Sequence, residues 1–88
     1  MNFQKQIQFS KHLKADGRLK EFNFLKLNNV ELPTYRVDVS DERGRRYIFK
    51  LSNDGKHWKI SGDELPKWLI ETEDMLQKVV HAEQPDAQ

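Results

Sequence analysis

From residue 35 onward the chain alternates. Tyr35, Val37 and Val39 are separated by Arg36 and Asp38, and Tyr47, Phe49 and Leu51 by Ile48 and Lys50. Trp58 and Ile60 flank Lys59. A period of two is the signature of strands with one buried face, so these stretches predict three strands in succession. The polar run Ser40–Gly44 and the segment Asn53-Asp54-Gly55 fall between them, and the second is the strongest hairpin signal in the chain.

Upstream the alternation is less regular. Phe3, Ile7, Phe9 and Leu13 share one parity with Lys5 and Lys11, while glutamines fill the other at positions 4, 6 and 8. This predicts a first strand within residues 1–14, closed by the turn residues Asp16-Gly17. A short helix pairing Phe3 with Ile7 fits Phe9 poorly. In Leu19–Leu27 the apolar positions switch parity, from Phe22 and Phe24 to Leu25 and Leu27. A bulge near Phe24–Leu25, or a strand covered on both faces, would explain the switch. Asn28-Asn29 and Pro33 bracket a loop expected to tuck Val30 and Leu32 inward.

Beyond Ser61 the period changes to that of a helix. Leu65, Trp68, Leu69, Met75, Leu76, Val79 and Val80 recur at three and four residues, with Thr72 completing the stripe. Lys67, Glu71, Asp74, Lys78 and His81 form the solvated side. Ser61 and Asp63 both suit a cap, with Glu64 three residues after Ser61. Pro66 belongs in a first turn, which favours Asp63. The expectation is one helix over 63–82, about 30 Å long, with Trp68 buried at the centre of its stripe. The fold class is therefore α+β: an antiparallel meander sheet of four to five strands with one long C-terminal helix packed across one face. Residues 1–82 form one small domain, and 83–88 a polar C-terminal tail.

Composition narrows the function. Apolar residues make up 36% of the 88 and charged residues 33%, with nine aromatics, which suits a small globular domain and not a disordered tail. No apolar run approaches membrane-spanning length, and the N-terminus lacks the apolar core of a leader. With no cysteine, disulfides, thiol chemistry and zinc ribbons are absent. The expectation is a cytoplasmic protein. His12, His57 and His81 are far apart, and no pair has metal-ligand spacing on a helix. The serines sit where turns and caps explain them. Glu71 and Asp74 share a helix side that Glu73 does not. Gly55 to Gly62 lacks phosphate-loop spacing. No catalytic centre, cofactor, metal or small-molecule substrate is expected, and the reading is a non-enzymatic binding module.

Charge changes the picture further. Residues 1–62 hold thirteen basic and seven acidic residues, a net +6. Residues 63–88 hold two and seven, a net −5. If the apolar parity faces the helix, the other parity carries Arg36, Arg46, Lys50, His57 and Lys59 with Ile48, and Asp38 is the one acid among them. Arg43 and Arg45 flank this set on the turn. Such a face suits a phosphate backbone, because each cation that displaces a condensed counterion gains entropy. Single-stranded DNA or RNA is the expected partner. Strands three to five put no aromatic on the basic face, so only Phe22 or Phe24 could stack on a base. An ordinary solvated sheet face would also carry arginine and lysine.

Over about residues 19–82, four strands followed by a helix across them resemble the layout of PUR-type domains. The layout is also similar to that of the Whirly proteins and the related single-stranded-DNA-binding transcriptional coactivators. No motif is shared, so no residue role is carried over. The resemblance implies a nucleic-acid-binding fold that dimerises. The rival expectation is a protein–protein interaction or homodimerisation module that uses an exposed edge strand, the off-stripe Ile70 and the acidic helix face.

Overall fold

A computed structural model describes residues 7–28 and 31–83 of the chain. Five strands form one sheet in chain order: β1 Gln8–Ala15, β2 Arg18–Lys26, β3 Thr34–Ser40, β4 Arg46–Asn53 and β5 Trp58–Ser61. Every neighbouring pair is antiparallel. A single turn, α1 Lys67–Ile70, leads into α2 Glu73–Glu83. The architecture is the expected α+β meander with a C-terminal helix on one face. No helix among the described residues is long and apolar enough to cross a membrane.

The core sits between the helices and one face of the sheet. Phe22, Phe24, Tyr35, Val37, Val39, Phe49, Leu51 and Trp58 are buried there, and they meet Leu69, Leu76 and Val80. Tyr47 and Ile60 share this face but are only partly covered. At β1 the face thins: Phe9 and Leu13 are half-buried, although Phe9 stacks on Phe24 at 4.7 Å. Phe3 lies outside the described residues.

The parity switch in β2 has a simpler cause than a bulge. Its ladders run unbroken, from Gln8 opposite Leu25 to Ala15 opposite Arg18, and from Phe22 opposite Val39 to Lys26 opposite Tyr35. Phe22 and Phe24 point into the core. Leu25 is half-buried on the opposite, outer face. In the following loop Leu32 is 46% exposed instead of tucked in, and Val30 lies outside the described residues.

The C-terminal helix packs on the sheet as expected, but its bounds of 63–82 are corrected. Leu65 precedes Pro66, whose ring disfavours helical geometry in the residue before it, so no helix runs through from Asp63. Pro66 itself stands at the start of α1 in extended conformation, with no side-chain cap. A second interruption falls at Glu71–Thr72. In an unbroken helix the Leu69 carbonyl would accept from the Glu73 N–H. Here it accepts from both the N–H and the hydroxyl of Thr72. The Thr72 carbonyl then takes the first bond of α2, from Leu76 N–H, at 2.9 Å. Leu69 and not Trp68 is fully buried in α1, and Leu69, Thr72, Leu76 and Val80 keep one buried stripe at three-and-four spacing across the interruption. Trp68 is half-buried, edge-on to Tyr47 at 5.8 Å, with the Lys20 ammonium 4.9 Å from its ring centre.

Helix α2 also finishes the sheet edge. The register leaves the N–H groups of Trp58 and Ile60 pointing away from β4. Trp58 N–H donates to Gln77 Oε1 at 2.9 Å and Ile60 N–H to Glu73 Oε2 at 2.8 Å. Gln77→Ala is expected to speed amide hydrogen exchange at Trp58 while leaving the bonded amides of β4 protected. Exchange measured residue by residue by NMR checks this.

The turns follow local chemistry. Asp16 and Gly17 both have positive φ, 54° and 76°, as a two-residue hairpin turn requires. The 54–57 connection is wider than a two-residue turn. Asn53 Oδ1 accepts from Gly55 N–H, and Asp54 Oδ1 from Lys56 and His57. Gly55 has φ 105°, and nothing would touch an added Cβ. Backbone conformation is therefore the whole constraint. Gly55→Val is expected to destabilise more than Gly55→Asn, by ~1 kcal/mol or more, in a chemical denaturation series.

Candidate nucleic-acid interface

The face of the sheet away from the helices is assembled from the polar parity of each strand. Gln8, Ser10, His12 and Lys14 come from β1, and Leu19, Glu21, Asn23 and Leu25 from β2. Arg36, Asp38 and Ser40 come from β3, Arg46, Ile48 and Lys50 from β4, and Lys59 from β5. Four of the seven predicted residues, Arg36, Arg46, Lys50 and Lys59, share this face, and all four are exposed.

Their surroundings differ. Arg46 is committed: its guanidinium donates to Asp38 Oδ2 at 3.1 Å. Asp38 also accepts from Asn23 Nδ2 at 2.9 Å, and Asn23 Oδ1 accepts from Ser10 Oγ at 2.6 Å. A chain of polar side chains thus crosses the sheet from β1 to β4. Ser10 and Asn23 were not singled out in the sequence, although Asn23 between Phe22 and Phe24 is the signal for an outward polar position.

Arg36 and Lys50 stand directly opposite each other. Tyr35 and Val37 are the β3 residues that exchange backbone bonds with β4, so 36 and 50 form the closer, non-hydrogen-bonded kind of pair. Like charges at that position repel. No carboxylate lies within ion-pair distance of Arg36, Lys50 or Lys59 among the described residues. Lys59 faces Ser52 one row further along. The flanking apolar side chains are Leu25 and Ile48, the latter 46% exposed.

Of the remaining three predicted residues, His57 lies off this face, and Arg43 and Arg45 stand on the turn between β3 and β4. His57 belongs to the 54–57 loop and borders a hollow with Trp58, Gln77, Lys78 and His81, towards the helix. Its place on the basic face assumed that β5 alternation extends back past Trp58, whereas the strand begins there. Arg43 and Arg45 sit on the 41–45 turn, around a hollow shared with Asp16, Asp41, Glu42, Tyr47 and Trp68. That hollow mixes both signs of charge. The two aromatics proposed for base stacking, Phe22 and Phe24, are buried under the helices. They share the core parity of β2 and are unavailable to any ligand of the outer face.

The turn is held by carboxylates. Asp41 Oδ1 accepts from the N–H groups of Arg43 and Arg45, each at 2.9 Å. The Arg45 backbone bond leads in holding the Asp41 carboxyl below its ordinary value. Lys20 lies on the core parity of β2, only 4% exposed. Its ammonium donates to the Ala15 carbonyl at 2.9 Å and to Glu42 Oε2 at 2.8 Å. That bond is the main reason the Glu42 carboxyl is lowered. Asp54 is lowered chiefly by the Lys56 backbone bond.

Carboxyls lowered in the folded state stabilise it above their unfolded values, and that stability is lost as pH falls through the lowered ones. The ordinary values are 3.8 for Asp and 4.5 for Glu. Thermal stability is expected to fall as pH drops from about 5 to 3. The fall should be shallower in Asp41→Asn, checked by Tm against pH. Among known proteins, no family model, no curated protein and no solved structure matches this chain.

Proposed function

We propose that this chain is a non-enzymatic binding module that holds the phosphate backbone of single-stranded DNA or RNA across its outer sheet face. One observation carries the reading: Arg36 and Lys50 face each other at the closest kind of cross-strand pair, with no carboxylate within ion-pair distance among the described residues. A bound phosphate would relieve that repulsion and release counterions. Lys59 extends the set towards β5. With no aromatic on this face among the described residues, binding draws on phosphate and is tolerant of base sequence. The supporting asymmetry is in α2 and the turn before it, which carry Glu71 and Asp74 on the other side of the sheet.

A second reading has its own observation. Ile70 is 52% exposed at the end of α1, and an apolar side chain there suits a homodimer or another protein partner. Salt separates the two, since apolar association depends on it weakly.

The test is fluorescence anisotropy with labelled single-stranded DNA, single-stranded RNA and duplex of equal length, over a salt series. Three uncommitted cations and roughly 0.7 ions per single-strand phosphate contact give a slope of about −2 in log K against log salt. Arg36→Ala, Lys50→Ala and Lys59→Ala are each expected to reduce the slope by ~0.7, equally for all sequences. Asp38→Asn frees Arg46 and is expected to tighten binding. No binding at low salt, or binding indifferent to these four changes, overturns the proposal.

A further inference from the structure

The two edges of the sheet are finished differently. At β5 the outward N–H groups of Trp58 and Ile60 are taken by Gln77 and Glu73. At β1 nothing comparable occurs among the described residues. Lys26 N–H donates to the Ile7 carbonyl at 2.9 Å, which fixes the phase of the ladder. Residues 9, 11, 13 and 15 exchange backbone bonds with β2. The N–H and C=O groups of Gln8, Ser10, His12 and Lys14 point outward, and β1 has β2 as its one neighbour in the sheet.

This edge has the properties of a strand acceptor. It is eight residues long, without proline or bulge, so four alternate residues offer a regular row of donors and acceptors. The core face also stops short there. Phe22 and Phe24 on β2 are fully buried, while Phe9 and Leu13 beside them are half-buried and Ile7 is 46% exposed. A further strand would cover the outer flanks of Phe9 and Leu13 with its own alternate side chains.

Charge selects the occupant. β1 carries Lys11, His12 and Lys14 and no carboxylate. A second copy is disfavoured. Two-fold pairing that keeps both helix faces on one side, and uses most of the strand, centres on Lys11 facing Lys11 or His12 facing His12. The first sets like charges directly opposite, which is destabilising, and the second sets Lys14 opposite Ser10 and Lys11 opposite Leu13, so neither lysine gains a carboxylate. We infer that the β1 edge is a docking site for an extended acidic segment of another protein. That segment pairs antiparallel or parallel with Gln8–Ala15, apolar residues alternating with glutamate or aspartate.

The experiment is an NMR titration of the full chain with two synthetic peptides, one alternating valine with glutamate and one alternating valine with lysine. With the glutamate peptide, the amides of Ser10, His12 and Lys14 are expected to shift and to gain protection from exchange. The lysine peptide is expected to bind at least ~10-fold more weakly, the scale on which charge juxtaposition discriminates partners. Proline is tolerated where an edge N–H faces solvent, so His12→Pro is expected to stay folded and to lose binding by ~10-fold or more. Lys14→Glu changes one exposed side chain and is expected to weaken the glutamate peptide and favour the lysine one. No shift at these amides, shifts confined to Arg36 and Lys50, or indifference to Lys14→Glu each overturns the inference. So does peptide-free self-association through β1, because a second copy would then be the occupant.

Discussion

Backbone N–H groups at a sheet edge need acceptors, and at β5 that need fixes where the helix lies. Two strand residues advance about 6.8 Å, and four helix residues about 6 Å. The near match lets Glu73 and Gln77, one helical turn apart, meet Ile60 and Trp58, two residues apart on the strand. The pairing order also sets α2 to run counter to β5. Once α2 is held there, Leu76 and Val80 fall over the aromatic face of the sheet, and the opposite face is left to solvent. The division into a core face and a basic face therefore depends on two side-chain hydrogen bonds as well as on apolar packing.

A second tie acts at the far end of the molecule. Lys20 reaches from the core parity of β2 to Glu42 on the 41–45 turn, and its ammonium lies over Trp68 of α1. One buried cation thereby joins a strand, a turn and the first helical turn. Its stem provides apolar packing while its head meets two oxygens and an aromatic ring. Trp68 serves as the ring in this contact, edge-on to Tyr47, and is not the central plug of a helix stripe.

Much of this was legible in the sequence, for a physical reason. Strands β3 to β5 alternate cleanly because one side of each is sealed and the other is wet, so parity assigns Arg36, Arg46, Lys50 and Lys59 to one face. Parity fails where there is no strand, which is why His57, in the 54–57 loop, does not join the face that alternation assigned it to. It also fails for Leu25, an apolar residue on the outer face. The helix break was hidden because Thr72 satisfies two roles at once. It continues the three-and-four spacing, and its hydroxyl ends α1. Lys20 was hidden because lysine reads as surface, although it shares parity with Phe22 and Phe24. Nothing local announces that Glu42, 22 residues away, receives it.

The segregation of charge gives the molecule a direction that its net +1 conceals. The exposed Arg36, Lys50 and Lys59 lie on the outer side of the sheet, and Glu71 and Asp74, both exposed, lie on the helical side. Such a body behaves as a dipole in an external field. Near a polyanionic surface it experiences a torque before it experiences much net attraction. If the outer face holds a phosphate backbone as proposed, the chain arrives with the sheet leading and the helix trailing, and fewer encounters are unproductive without any gain in overall charge.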